Sequence, residues 1–124
     1  MTAQSSSSTA SLTGAWQGFY THDHGTKRTE FSATLEQSGD TLSGLIEEYS
    51  DEPDGVGRVH FARIEGWTAD GVVLFSKTYC GRAGWTHTVD YEGDIDDERY
   101  RISGTWRFSA TWVGVFEMRR VSPA

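Results

Sequence analysis

The segment RYRISGTWRF (residues 99–108), followed after Ser109 and Ala110 by TWVGVFEMRRV (residues 111–121), decides how this chain folds. In the first segment Tyr100, Ile102, Gly104, Trp106 and Phe108 alternate with Arg99, Arg101, Ser103, Thr105 and Arg107. In the second, Trp112, Gly114, Phe116 and Met118 share a parity that ends on Arg120. A period of two puts one set on one face of an extended strand and the other set on the opposite face. A helix would need its apolar residues three and four apart.

The same alternation extends backwards through the chain, broken every 8 to 14 residues by Gly, Asp, Pro or Ser clusters. Eight strands are expected, over residues 14–21, 27–37, 41–50, 57–67, 71–80, 85–93, 99–108 and 111–121. The connections QSGD, TADG and DIDDE are short and turn-forming, so consecutive strands should pair antiparallel. The fold class expected is all-β, an eight-stranded antiparallel up-and-down barrel, because closure removes the exposed edges of an open sheet. A two-sheet Greek-key sandwich is the alternative, and the short connections weigh against it.

Composition sets the outer bounds. With 124 residues there is room for one domain, expected over residues 12–124 behind a flexible Ser-rich tail at 1–11. Sixteen aromatic side chains, five of them Trp, can fill a real core. Eleven basic against eighteen acidic residues argue against nucleic acid and anionic membrane surfaces as partners. The first twelve residues have neither a basic nor an apolar run of the secretory kind, and Cys80 is the single cysteine, so a cytoplasmic location is expected.

Parity assigns an inward set: Trp16, Gly18 and Tyr20; Phe31, Ala33 and Leu35; Leu42, Gly44, Ile46 and Glu48; Val73, Phe75, Lys77 and Tyr79; Trp85, His87, Val89, Tyr91 and Gly93. The fourth strand offers two readings, His60, Ala62, Ile64 and Gly66 or Val59, Phe61 and Trp67; the first keeps Arg63 and Glu65 outside. Inward glycines make room for large rings opposite. With strand direction alternating, Tyr20, Glu48, His60, Lys77, Tyr79, Trp85, His87, Trp106, Phe108 and Trp112 gather at one end. Leu35, Leu42, Ile64, Val73, Val89, Ile102, Phe116 and Met118 fill the middle and the other end.

Gly14-Ala15-Trp16 resembles the lipocalin Gly-x-Trp, whose Trp packs at the closed end of its barrel beneath a basic residue, and Arg120 stands where that residue is required. Leu12-Thr13-Gly14-Ala15-Trp16 is similar to the avidin opening, and Gly104-Thr105-Trp106 repeats it late in the chain. Gly14, Trp16 and Gly18 also match the Gly-x-Trp-x-Gly of nitrobindin-like haem barrels. The resemblance is thus to the calycin-like barrels, and it implies Trp16 and Arg120 as a structural closed end. The lipocalin disulfide and the avidin biotin site have no counterpart, so no ligand follows from it.

Titratable residues collected at one end of a barrel point to a pocket, since a buried polar group without a partner costs about 1–3 kcal/mol. The plainer reading is a wet rim with an ordinary Glu48–Lys77 ion pair. Binding of an apolar or aromatic, optionally anionic, small molecule is the leading expectation, with Tyr20, His60, Trp85, Tyr91, Trp106, Phe108 and Trp112 as walls. The first alternative is a cofactor-independent isomerase, cyclase or decarboxylase using Glu48, Lys77, Tyr79 and His87 for acid-base chemistry. The second is a protein-interaction module.

No cofactor and no metal are expected. His22-Asp23-His24, with His60 and His87, lacks a specific ligand spacing, and a haem ligated by His60 or His87 rests on aromatic walls alone. Asp54-Gly55-Val56-Gly57 has no following helix to hold phosphate, and Asp94, Asp96, Asp97 and Glu98 read as a solvated turn, not a calcium loop. Outward apolar residues gather in two places, Phe19 with Val113 and Val115, and Leu45 with Phe61, Val72 and Leu74. Such faces mark interfaces when contiguous, which makes a homodimer the expected assembly; scattered surface hydrophobes are the plainer reading.

Overall fold

The computed structural model describes residues 11–22, 28–51, 57–80 and 87–121. Their regular structure is eight strands: β1 (Gly14–His22), β2 (Arg28–Ser38), β3 (Thr41–Asp51), β4 (Gly57–Ala69), β5 (Val72–Tyr79), β6 (Thr88–Ile95), β7 (Arg101–Arg107) and β8 (Val113–Arg120). Each pairs antiparallel with its chain neighbours, and β1 pairs with β8 from Trp16↔Arg120 to His22↔Gly114, so the barrel is closed. The up-and-down order leaves no crossover for a sandwich.

Turn chemistry explains the tight hairpins. Gly39 has φ +61° as the first of two residues between Ser38 and Thr41, as a II′ turn requires. Asp70 and Gly71 both have positive φ, 55° and 80°, and join β4 to β5 in the manner of a type I′ turn.

Parity holds along the strands. His60, Ala62 and Ile64 are buried while Phe61 and Trp67 are exposed, which settles the fourth strand. The chain departs from the expected pattern at the start of β7. Tyr100, expected inward, is 48% exposed. The cause lies just before β7, where the Asp96 carboxylate accepts the N–H groups of Tyr100 and Arg101 at 2.8 and 3.1 Å and Arg99 takes φ +60°. The chain is still turning there, and Asp96 serves the turn itself. Phe108 and Trp112 fall beyond the ends of β7 and β8 and are 47% and 57% exposed. His87 precedes β6 and is exposed as well.

The closed end is built from Leu12, Trp16 and Arg120. Leu12 and Trp16 are fully buried, and Trp16 Nε1 donates to the Leu12 carbonyl at 2.9 Å. The Arg120 guanidinium lies 4.8 Å from the Trp16 ring centroid and donates to the carbonyls of Thr13 and Ser11 at 3.0 and 2.9 Å, and to that of Arg99. It therefore ties the residues before β1 to the end of β8. Leu35, Leu42, Ile64, Val73, Ile102 and Met118 are buried with them, each adding ~1.5–3 kcal/mol of hydrophobic stabilisation relative to exposure.

Inward glycines serve close approach. A Cβ on Gly114 would collide with the Thr21 carbonyl and sit 2.6 Å from Trp106 Nε1, which donates to that same carbonyl at 2.9 Å. Only a bare α-carbon lets the indole lie across β8. On the outer surface the Arg28 guanidinium covers Phe19 at 3.8 Å, whereas Val115, Leu45 and Phe61 are exposed, with Tyr49 and Trp67 exposed as well.

Candidate functional site

A cavity of about 460 Å³ occupies the barrel end opposite Trp16 and Arg120. A gradient of exposure defines its depth. Lys77 and Tyr91 are buried at its inner end, Tyr79, Val89 and Trp106 are buried along the sides, and His87, Phe108 and Trp112 are exposed at the mouth. Tyr20 and Thr29 complete the described wall. Rings dominate it, and they brace one another: Tyr20 meets Trp106 edge-on at 5.8 Å, Tyr91 stacks on Phe75 at 4.9 Å, and Phe108 meets Trp112 at 6.4 Å.

At the inner end lies a buried ion pair. Glu48 is 0% and Lys77 1% exposed, and Lys77 Nζ donates to Glu48 Oε2 at 2.9 Å. The other oxygen, Oε1, accepts the hydroxyls of Tyr20 at 2.8 Å and Tyr79 at 2.7 Å. The ammonium also sits 4.6, 4.8 and 5.1 Å from the ring centroids of Tyr20, Tyr79 and Tyr91, within cation–π reach of all three. Glu48 is on β3 and Lys77 on β5, so β4 runs between them. Register places Glu48 opposite His60 and Lys77 opposite Ile64, with the small buried Ala62 between, which leaves room for the two side chains to meet.

Desolvating both charges is tolerable because each finds the other and the carboxylate's second oxygen is doubly hydrogen-bonded. Burial pushes the Lys77 ammonium below its ordinary pKa, and Glu48 opposes that shift. The phenols of Tyr20, Tyr79 and Tyr91 are pushed up, burial being the largest cause, with Glu48 among the others. They remain protonated near neutral pH. His87 is held below the ordinary histidine value by desolvation first and Lys77 second, against a smaller opposing effect of Glu48. Its ring lies 4.7 Å from that of Tyr79 and 4.9 Å from that of Phe108.

Most of the expected site residues come together. Lys77, Tyr79, His87, Tyr20, Tyr91, Trp106, Phe108 and Trp112 all line the cavity. Glu48 and His60 stand behind its wall, fully or almost fully buried, so Glu48 holds Lys77, Tyr20 and Tyr79 in place without facing the space. Trp85, His24 and residues 54–56 of the acidic turn lie outside the described residues. Thr29 and Val89 line the cavity without having been expected there. Thr29 shares the parity of Phe31, so the alternation extended one step would have included it. Among the described residues no group of three or more His, Cys, Asp or Glu is placed to hold a metal. No described helix is long and apolar enough to cross a membrane.

No protein-family model matches this chain. No curated protein matches its sequence either. The site's own chemistry is therefore what bears on function.

Proposed function

We propose that the protein binds a small, largely apolar aromatic molecule inside its barrel, with Trp16 and Arg120 as the calycin-like closed end. The observation that carries this reading is the cavity of about 460 Å³ walled by aromatic rings with a neutralised Lys77–Glu48 pair at its inner end. Ligand pockets combine apolar walls with a few convergent polar groups in this way. A packing-only barrel would gain nothing from burying a lysine, whose side chain normally reaches solvent.

The cofactor-independent enzyme has less in its support. Its best base would be Glu48, and that carboxylate already accepts three hydrogen bonds and does not face the cavity. Geometry comes before pKa in choosing a general base, and here geometry fails.

Isothermal titration against decanoate, a hydroxycinnamate, a planar aromatic hydrocarbon and haem tests the proposal. At least one class should bind, and Val89→Phe, which adds a ring where Val89 lines the cavity, should weaken that class by about tenfold or more, since extra bulk removes the space the ligand needs. Absence of binding by every class would overturn the reading. So would binding untouched by Val89→Phe in a variant that keeps its native circular dichroism.

A further inference from the structure

The polar groups at the inner end are not equally engaged. Glu48 accepts from Lys77, Tyr20 and Tyr79. Tyr91 differs. Its side chain is almost wholly buried and lines the cavity, yet its hydroxyl makes no hydrogen bond to any described residue. The hydroxyl itself is not sealed in the wall but opens onto the cavity, so it is a donor left for whatever occupies that space. Lys77 offers a second donor group beside it, its Nζ lying 5.1 Å from the Tyr91 ring centroid with Glu48 taking one of three N–H bonds.

Charge narrows the partner further. Lys77 is the one Lys or Arg on the described wall, and Glu48 at 2.9 Å already balances it. A carboxylate entering the cavity would bring a charge with no cation left on the described wall to meet it, and would have to be desolvated for that. An uncharged acceptor oxygen carries no such cost and satisfies the Tyr91 hydroxyl.

We infer that the ligand is an uncharged planar ring system bearing a carbonyl-type oxygen, bound with that oxygen on the Tyr91 hydroxyl beside Lys77 and its rings between Tyr79 and Trp106. This rests on the cavity being a ligand site, as proposed above, and it names the ligand's chemistry. Tyr91 then selects among ligands that fit equally well by shape.

Three molecules with one skeleton separate the possibilities: 9-fluorenone, fluorene and fluorene-9-carboxylate, measured by equilibrium dialysis at pH 7. The full-length protein should bind fluorenone about tenfold more tightly than either of the others, the ratio expected for one buried hydrogen bond made or left unmade. Tyr91→Phe should cost fluorenone about tenfold and fluorene less than about twofold, because only the hydroxyl is removed. Equal binding of fluorenone and fluorene by the parent, tightest binding of the carboxylate, or fluorenone affinity unchanged in Tyr91→Phe would each overturn the inference and leave the cavity reading standing. Failure of all three molecules to bind would overturn the inference, and the calorimetric titration described above decides separately whether the cavity reading stands. The parent's ranking of the three decides the matter even if Tyr91→Phe does not fold.

Discussion

Glu48→Gln is the most informative single perturbation of this barrel. The substitution keeps the side chain's size and an acceptor oxygen for Tyr20 and Tyr79, removes the charge and turns the oxygen that accepts from Lys77 into an NH2 donor. Lys77, 1% exposed, would then hold an ammonium with no anion at 2.9 Å. Breaking a buried pair from one side costs ~3–5 kcal/mol. The two tyrosine hydroxyls lose a charged acceptor for a neutral one, worth about 1 kcal/mol each. A domain's whole stability is ~5–15 kcal/mol, so the variant should sit near the edge of folding at pH 7. With a urea m-value of ~1–3 kcal/mol/M, a loss of that size should lower the midpoint by at least about 2 M.

The companion Lys77→Met should be similarly damaging alone, since it strands the carboxylate. The double variant should be more stable than the sum of the two losses predicts, with a coupling of at least ~2 kcal/mol, because neither charge is then buried alone. A pH arm follows from linkage. In Glu48→Gln nothing holds the Lys77 pKa up against burial, so the folded state releases its proton at lower pH than the unfolded chain does, near ~10.4. Between those two values the unfolded state binds more protons, so the variant's stability must rise with pH. Urea unfolding followed by Trp fluorescence at several pH values measures all of this. Coupling below about 1 kcal/mol, the value of a surface pair, would refute the reasoning, as would a stability of Glu48→Gln that falls between pH 6 and 9.

The raised phenols of Tyr20, Tyr79 and Tyr91 keep protons that the unfolded chain releases above ~10, so stability should fall as pH climbs past that value, by up to ~1.4 kcal/mol per unit for each tyrosine. Absorbance at 295 nm should then show these three ionising together with the loss of circular dichroism; free titration of all five tyrosines in a native barrel would contradict it. Gly114→Ala should cost ~1–3 kcal/mol, because its Cβ meets the Thr21 carbonyl and Trp106, and urea midpoints measure the loss. Arg120→Met removes the contacts to Thr13, Ser11 and Trp16 and should lower stability by ~1–3 kcal/mol while leaving ligand affinity in the cavity within about twofold. A large affinity change by calorimetry would mean that the two ends are coupled.

Period-two alternation told which side chains face inward, because a strand has only two faces and the charged set must take the wet one. It held even at His60, where the alternative would have buried Arg63 and Glu65. Asp70-Gly71 was equally readable, since few residues other than Asn, Asp and Gly accept positive φ. The alternation failed at Tyr100, at the start of β7, where the hydrogen bonds of Asp96 turn the chain and parity loses its meaning; His87, Phe108 and Trp112, also beyond the strand ends, are exposed at the mouth yet still line the cavity.

By itself, then, the sequence determined eight strands, their inward faces, the hairpins that order them and the end at which polar groups collect. Each of these depends on neighbours within a few residues. The partners of Glu48 were decided only by closure, which brings Tyr20 of β1, Lys77 of β5 and Tyr79 of β5 to one carboxylate across 28, 29 and 31 residues of chain. So was the difference between Glu48, hidden behind the wall, and Tyr91, facing the cavity with its hydroxyl unspent on any described residue. Parity ranks both as inward; depth depends on how far each side chain reaches and on which small residue, here Ala62, makes way for it.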